Sequence, residues 1–161
     1  MFTTLLMTER ELTPHDAERF AHLHDPEPVK IHVVIPDRDD RSEFAEAADD
    51  IARADFRDAL HDEDASTPEA ELVRTAQAAL DASISALRAQ GVTDVDGELV
   101  TGDPVHGVES IANRLDVDEL VVLTEPHLIA DFTRRDWASR LRHGLDKPVL
   151  HVVLGTDQVV S

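Results

Sequence analysis

No cysteine occurs in the 161 residues, so disulfides, thiolate zinc sites and cysteine nucleophiles are all excluded. Aromatic residues make up only 4% of the chain, so the core has to be built from Leu, Val, Ile and Ala. No apolar run approaches the roughly 20 residues that span a bilayer. The first residues lack the basic, then apolar, then small order of a signal peptide. Lysine is confined to Lys30 and Lys147, and acidic residues outnumber Lys and Arg by 34 to 15. The resulting net charge of -19 weighs against nucleic acid and anionic membranes as partners, because the long-range field repels both. Glycine is missing from the whole stretch between Leu123 and Trp137. These absences leave a single-domain, cytoplasmic protein with a solvated acidic surface.

What is present alternates between strand and helix patterns. FTTLLM (Phe2 to Met7) is a short buried strand. Thr13-Pro14 supplies an N-cap and a first-turn proline, with Asp16 behind them and a helix running to about His24. VKIHVVIP (Val29 to Pro36) is the second strand. Residues 37–66 form a variable acidic insert, partly helical, with Phe44, Ala48, Ile51, Ala52, Phe56 and Leu60 on one stripe. A helix starts at Ser66, Thr67 or Pro68, buries Leu72, Ala76, Leu80, Ile84 and Leu87, and ends at Gly91. Val95 to Thr101 is the third strand. Gly102-Asp103-Pro104 turns into a helix with Val105, Val108, Ile111, Ala112 and Leu115 on one side. ELVVLT (Glu119 to Thr124), a helix capped by Asp136 and carrying Leu141, and PVLHVVL (Pro148 to Leu154) complete the pattern. Continuously apolar strands need cover on both faces. The fold class is therefore α/β, a three-layer α/β/α domain around a five-stranded parallel sheet.

The second half resembles the universal stress proteins. The residues that carry the resemblance are the G-D-P turn at Gly102 to Pro104, Ile111-Ala112, DELVVL from Asp118, WASRLRH from Trp137 and PVLHVV from Pro148. Val29 to Pro36 is similar to the family's second strand. The likeness covers most of the chain, firmly from about Thr67 and loosely before. It implies strand order 3-2-1-4-5, with a ligand crevice beyond the carboxyl ends of strands 1 and 4. It also implies ATP held by G-x-x-G and a later G-[ST]. Here those glycines fall on Thr124, His127 and Arg135, and Asp136 stands at the serine position. A Cβ at each position blocks close backbone approach, and a carboxylate repels a triphosphate. The family's aspartate after strand 1 is also missing, with Thr8-Glu9 in its place. ATP and AMP are thus disfavoured, and no cofactor is expected.

The reading that follows is a non-enzymatic regulatory or protein-interaction domain. The alternative is a sensor of a small anionic ligand or nucleotide, contacted by Thr8, Gly102, Thr124, Glu125, His127 and Arg134 or Arg135. A nucleotide hydrolase ranks last, because the chain has neither S-G-G-x-D-S nor H-x-G-H. Arg134, Arg135, Arg140, Arg142, His143 and Lys147 form a basic cluster whose simpler reading is a solvated helix face. No H-x-x-x-H or H-E-x-x-H spacing exists among the nine histidines, so no metal is expected. The resemblance implies a homodimer through strand 5, with Val149, His151 and Val153 on the pairing edge. That apolar edge needs a partner or a cover, which the tail from Thr156 can supply.

Overall fold

Strands that read as unbroken apolar runs become the centre of a sheet covered on both faces, and those that alternate with charge become its edge. The computed structural model describes residues 1–37, 68–124, 139–153 and 159–160. Its central strands are β1 (Phe2–Thr8), β2 (Val29–Pro36), β4 (Glu119–Thr124) and β5 (Val149–Val153). Strand β3 (Asp94–Val100) carries Asp94, Asp96 and Glu98 and stands at one edge. A two-residue strand, β6 (Val159–Val160), stands at the other. The order is β3-β2-β1-β4-β5-β6. The first five strands are mutually parallel, in the expected 3-2-1-4-5 order. β6 is an addition and runs antiparallel to β5.

Helices α1 (Pro14–Ala21), α2 (Pro68–Ala89), α3 (Pro104–Leu115) and a fourth helical stretch, α4, described over residues 139–144, fill the outer layers. Leu6, Val33, Val121 and Leu123 pack against Phe20 of α1 and Leu80 and Leu87 of α2. On the opposite face Leu5, Met7, Leu120 and Val122 pack against Val108 and Ile111 of α3 and Leu141 of α4. Alternate residues of β1 thus feed two separate aliphatic cores. Among the described residues no helix is long and apolar enough to cross a membrane.

Local signals act as their chemistry dictates. Thr13 accepts from the Asp16 amide at 3.1 Å, and the Asp16 carboxylate accepts from the Thr13 amide, closing the capping box of α1. Gly91 takes φ +93 after α2, and the Val92 amide returns to the Leu87 carbonyl at 3.2 Å. One boundary differs from expectation. α1 stops at Ala21 rather than continuing to about His24. His24 leaves the helix to place Nε2 2.5 Å from Glu119, a carboxylate only 5% exposed that also accepts from the Thr4 hydroxyl. Satisfying that buried acid outweighs another half-turn of helix. Of the acidic insert only Asp37 is among the described residues, and the caps of α2 and of the last helix also lie outside them.

Gly97 shows how closely α2, β2 and β3 meet. A Cβ there would run into the Val33 carbonyl oxygen and lie 2.8 Å from Leu80 Cδ1. Gly97→Ala is expected to destabilise the fold by about 1–3 kcal/mol, read as a lower urea midpoint with an unchanged slope.

Candidate functional site

Parallel sheets of this topology take ligands beyond the carboxyl ends of their strands, where the order reverses. Here that point lies between β1 and β4. Thr8 ends β1 opposite Leu123, and Thr124 is the next residue along β4, opposite Val153. The register therefore brings Thr8 and Thr124 to one lip. Thr8 is fully buried, and its hydroxyl donates to the Arg10 carbonyl at 2.8 Å. The loop that follows is pinned to α2, where buried Ser83 accepts from the Leu12 amide at 3.0 Å and donates to the Ala79 carbonyl. The wall after β1 is thus held from both ends. The Thr124 side chain, and all of Glu125, His127, Arg134 and Arg135, lie outside the described residues.

Gly102 does not join this lip. It follows β3, and β2 intervenes before β1, a lateral separation of about 10 Å. Its φ is +79, and a Cβ there would meet nothing within 4 Å. Glycine meets the demand of that left-handed turn. The next residue, Asp103, caps α3. Its Oδ1 accepts from the amides of Val105 (2.9 Å) and His106 (3.1 Å), so two amides that the helix start would offer a ligand are already taken. Arg140 lies 3.5 Å from the other carboxylate oxygen. The His106 amide does most to hold the Asp103 carboxyl below its usual range. Slight burial opposes it, and Arg140 and the Val105 amide add to it.

The described part of the basic cluster is spent locally. Besides Arg140 on Asp103, Lys147 sits 3.2 Å from Asp116, Arg142 reaches the Val149 carbonyl, and His143 meets the Ser139 carbonyl. A balanced helix face describes these residues. The histidines are likewise dispersed. His32 is buried in β2 with Asp96 at 2.5 Å and Glu98 at 3.0 Å on its two ring nitrogens. Burial acts to raise the Asp96 carboxyl, but the His32 hydrogen bond and charge, with Lys30, prevail and hold it below its usual range. His151 is buried opposite Val122, and His106 is exposed. Among the described residues no group of three or more His, Asp or Glu side chains is arranged to hold a metal.

Sequence reasoning missed Asp37. It follows the last residue of β2, donates its amide to the Val100 carbonyl at 2.9 Å, and is only 8% exposed. Its Oδ1 is buried and has no hydrogen-bond partner among the described residues. The one signal available was an acid placed directly after an eight-residue apolar strand. Burial depends on the neighbouring strand end, which no local pattern reveals.

No family model and no curated relative match the chain. Solved structures do. A universal stress protein in complex with cAMP aligns over 94% of this chain and 96% of its own, at 15% identity and a TM-score of 0.59. The fold is that of the universal stress proteins. The universal stress protein of Archaeoglobus fulgidus in complex with dAMP aligns over 94% of this chain and 97% of its own, at 14% identity and a TM-score of 0.58. A hypothetical protein whose biochemical function was assigned from its structure aligns over 97% of this chain and 98% of its own, at 16% identity and a TM-score of 0.60. The universal stress resemblance read from the G-D-P turn and the DELVVL strand is thus borne out at the level of the fold.

Two outcomes follow from the rim residues. Asp37→Asn is expected to stabilise the protein by about 1 kcal/mol in urea unfolding at neutral pH, because it neutralises a buried carboxylate whose Oδ1 has no partner among the described residues. Asp103→Ala is expected to cost about 1 kcal/mol at neutral pH. A carboxyl held low in the folded state stabilises above its unfolded value of about 4 and loses that contribution as pH falls through the folded value. The unfolding midpoints of the parent and Asp103→Ala proteins should therefore converge in acid.

Proposed function

We propose that the chain is a universal-stress-type regulatory or protein-interaction domain, without enzymatic activity, whose crevice does not seat a triphosphate on main-chain amides. The observation that carries this reading is the glycine-free segment from Glu125 to Trp137, entered directly from Thr124 at the lip shared with Thr8. The described end of the neighbouring strand β2 is followed by the buried carboxylate of Asp37. Amides cannot close on phosphates where each residue carries a Cβ, and carboxylates in a chain of net charge -19 oppose polyanions.

A second reading is a sensor of a smaller ligand, with Arg134 or Arg135 supplying any anion contact. Two neighbours of the same fold are complexes with cAMP and dAMP. On this chain the feature that favours a ligand is Asp37 Oδ1, a buried acceptor that an N–H or O–H donor would satisfy.

Thermal shift separates the two. A ligand at one hundred times its dissociation constant stabilises by about 2.7 kcal/mol, which is readily seen as a higher melting temperature. ATP and inorganic phosphate are expected to leave the melting temperature unchanged, and ATP is expected to survive incubation. A clear rise with ATP, or its hydrolysis, would overturn the first reading. A rise with AMP or adenosine that Asp37→Asn abolishes would establish the second.

A further inference from the structure

Strand β3 ends the sheet on one side among the described residues, and the main chain of an end strand can accept a further strand. The ladder to β2 fixes which groups face outward. The Asp37 amide donates to the Val100 carbonyl, so by the alternation of a parallel pair Asp94, Asp96, Glu98 and Val100 turn their main chain to β2. Val95, Gly97 and Leu99 turn theirs away from it. Arg88, in the last turn of α2, donates to the Val95 carbonyl at 3.2 Å, in keeping with that direction. The other outward amides and carbonyls of these three residues have no partner among the described residues.

The two faces of this edge differ in chemistry. Val95 and Leu99 lie on the side covered by α2 and join the aliphatic core there. Asp94, Asp96 and Glu98 lie on the other side, with side chains 43%, 54% and 35% exposed. Two cations reach these three carboxylates among the described residues. Lys30 is 3.9 Å from Asp94 and 3.4 Å from Asp96, and Arg114 pairs with Glu98. The edge is therefore short of positive charge. A second β3 cannot supply it, because like charges would stand opposite one another. Residues 38–67 of this chain are no better matched, since they hold eleven acids against four arginines.

We propose that the β3 edge docks an extended basic segment of another protein, which adds as a strand. Its main chain would bond Val95, Gly97 and Leu99. Lysine or arginine at every second position would face Asp94, Asp96 and Glu98, and apolar residues between them would face the α2 side. The proposal builds on the protein-interaction reading. Its failure would leave the thermal-shift outcomes with ATP and phosphate untouched, so the two fail separately.

The probe is a short fluorescent peptide of alternating lysine and valine, followed by anisotropy with the full chain at about 0.15 M salt. It is expected to bind, and a peptide of alternating glutamate and valine is expected not to. Asp94→Asn combined with Asp96→Asn is expected to raise the dissociation constant about tenfold. Glu11→Gln combined with Glu18→Gln, which removes two exposed acids elsewhere, is expected to leave it unchanged. A strand turns only every second amide to its neighbour. Methylating one alternate set of the peptide's amides is therefore expected to abolish binding, and methylating the other set to preserve it. The proposal is overturned if the lysine peptide does not bind, if the Asp94 and Asp96 changes leave its affinity as it was, or if the two methylated peptides behave alike.

Discussion

Everything in this molecule hangs on β1 being paired on both sides. It bonds β2 over six register positions and β4 over five, and its alternate side chains feed two cores. A strand in that position has no solvent-facing side chain along its inner length, which is why Leu5, Leu6 and Met7 are at most 1% exposed. With 4% aromatics the core on each face must be dense and aliphatic, and helices must approach closely enough to fill it. Gly97 and Gly107 are the marks of that closeness. A side chain at the first would strike the Val33 backbone, and at the second the Val100 side chain.

The same pairing gathers the strand ends on which any ligand chemistry depends. The ends of β1 and β4, at Thr8 and Thr124, come to one lip because the two strands are neighbours in register, although they are far apart in sequence. Asp37 is buried because β2 ends beside β3, and its amide is taken by Val100. The amides at the start of α3 belong to Asp103. Solved structures of this fold hold cAMP and dAMP, and the sequence that follows β4 here carries no glycine before Trp137.

Polar groups inside the layers hold boundaries rather than chemistry. Glu119 is reached by His24 and Thr4, and this draws the chain out of α1. His32 clips β2 to the acidic edge strand through Asp96 and Glu98, and Arg114 of α3 pairs with Glu98 from above. Lys30, 3.4 Å from Asp96, adds a charged contact to the ladder that ties the edge strand. These contacts lie away from the lip shared by β1 and β4. They account for buried polar residues that a sequence scan would flag as candidate ligands.

Much of the architecture was legible from residue patterns. Uninterrupted apolar runs, the Thr13-Pro14 and Asp103-Pro104 caps and the terminal Gly91 act over a few neighbouring residues, and a sequence displays such signals directly. Strand β2 and strand β4 begin and end where their sequence pattern places them. What the chain could not disclose is whatever depends on residues brought together from afar. The burial of Asp37 and the capture of His24 by Glu119 each join segments remote in sequence or set only by strand order. Local propensity is written residue by residue, whereas the desolvation of an acid and the occupancy of a sheet edge are properties of neighbours that exist only once the sheet has formed.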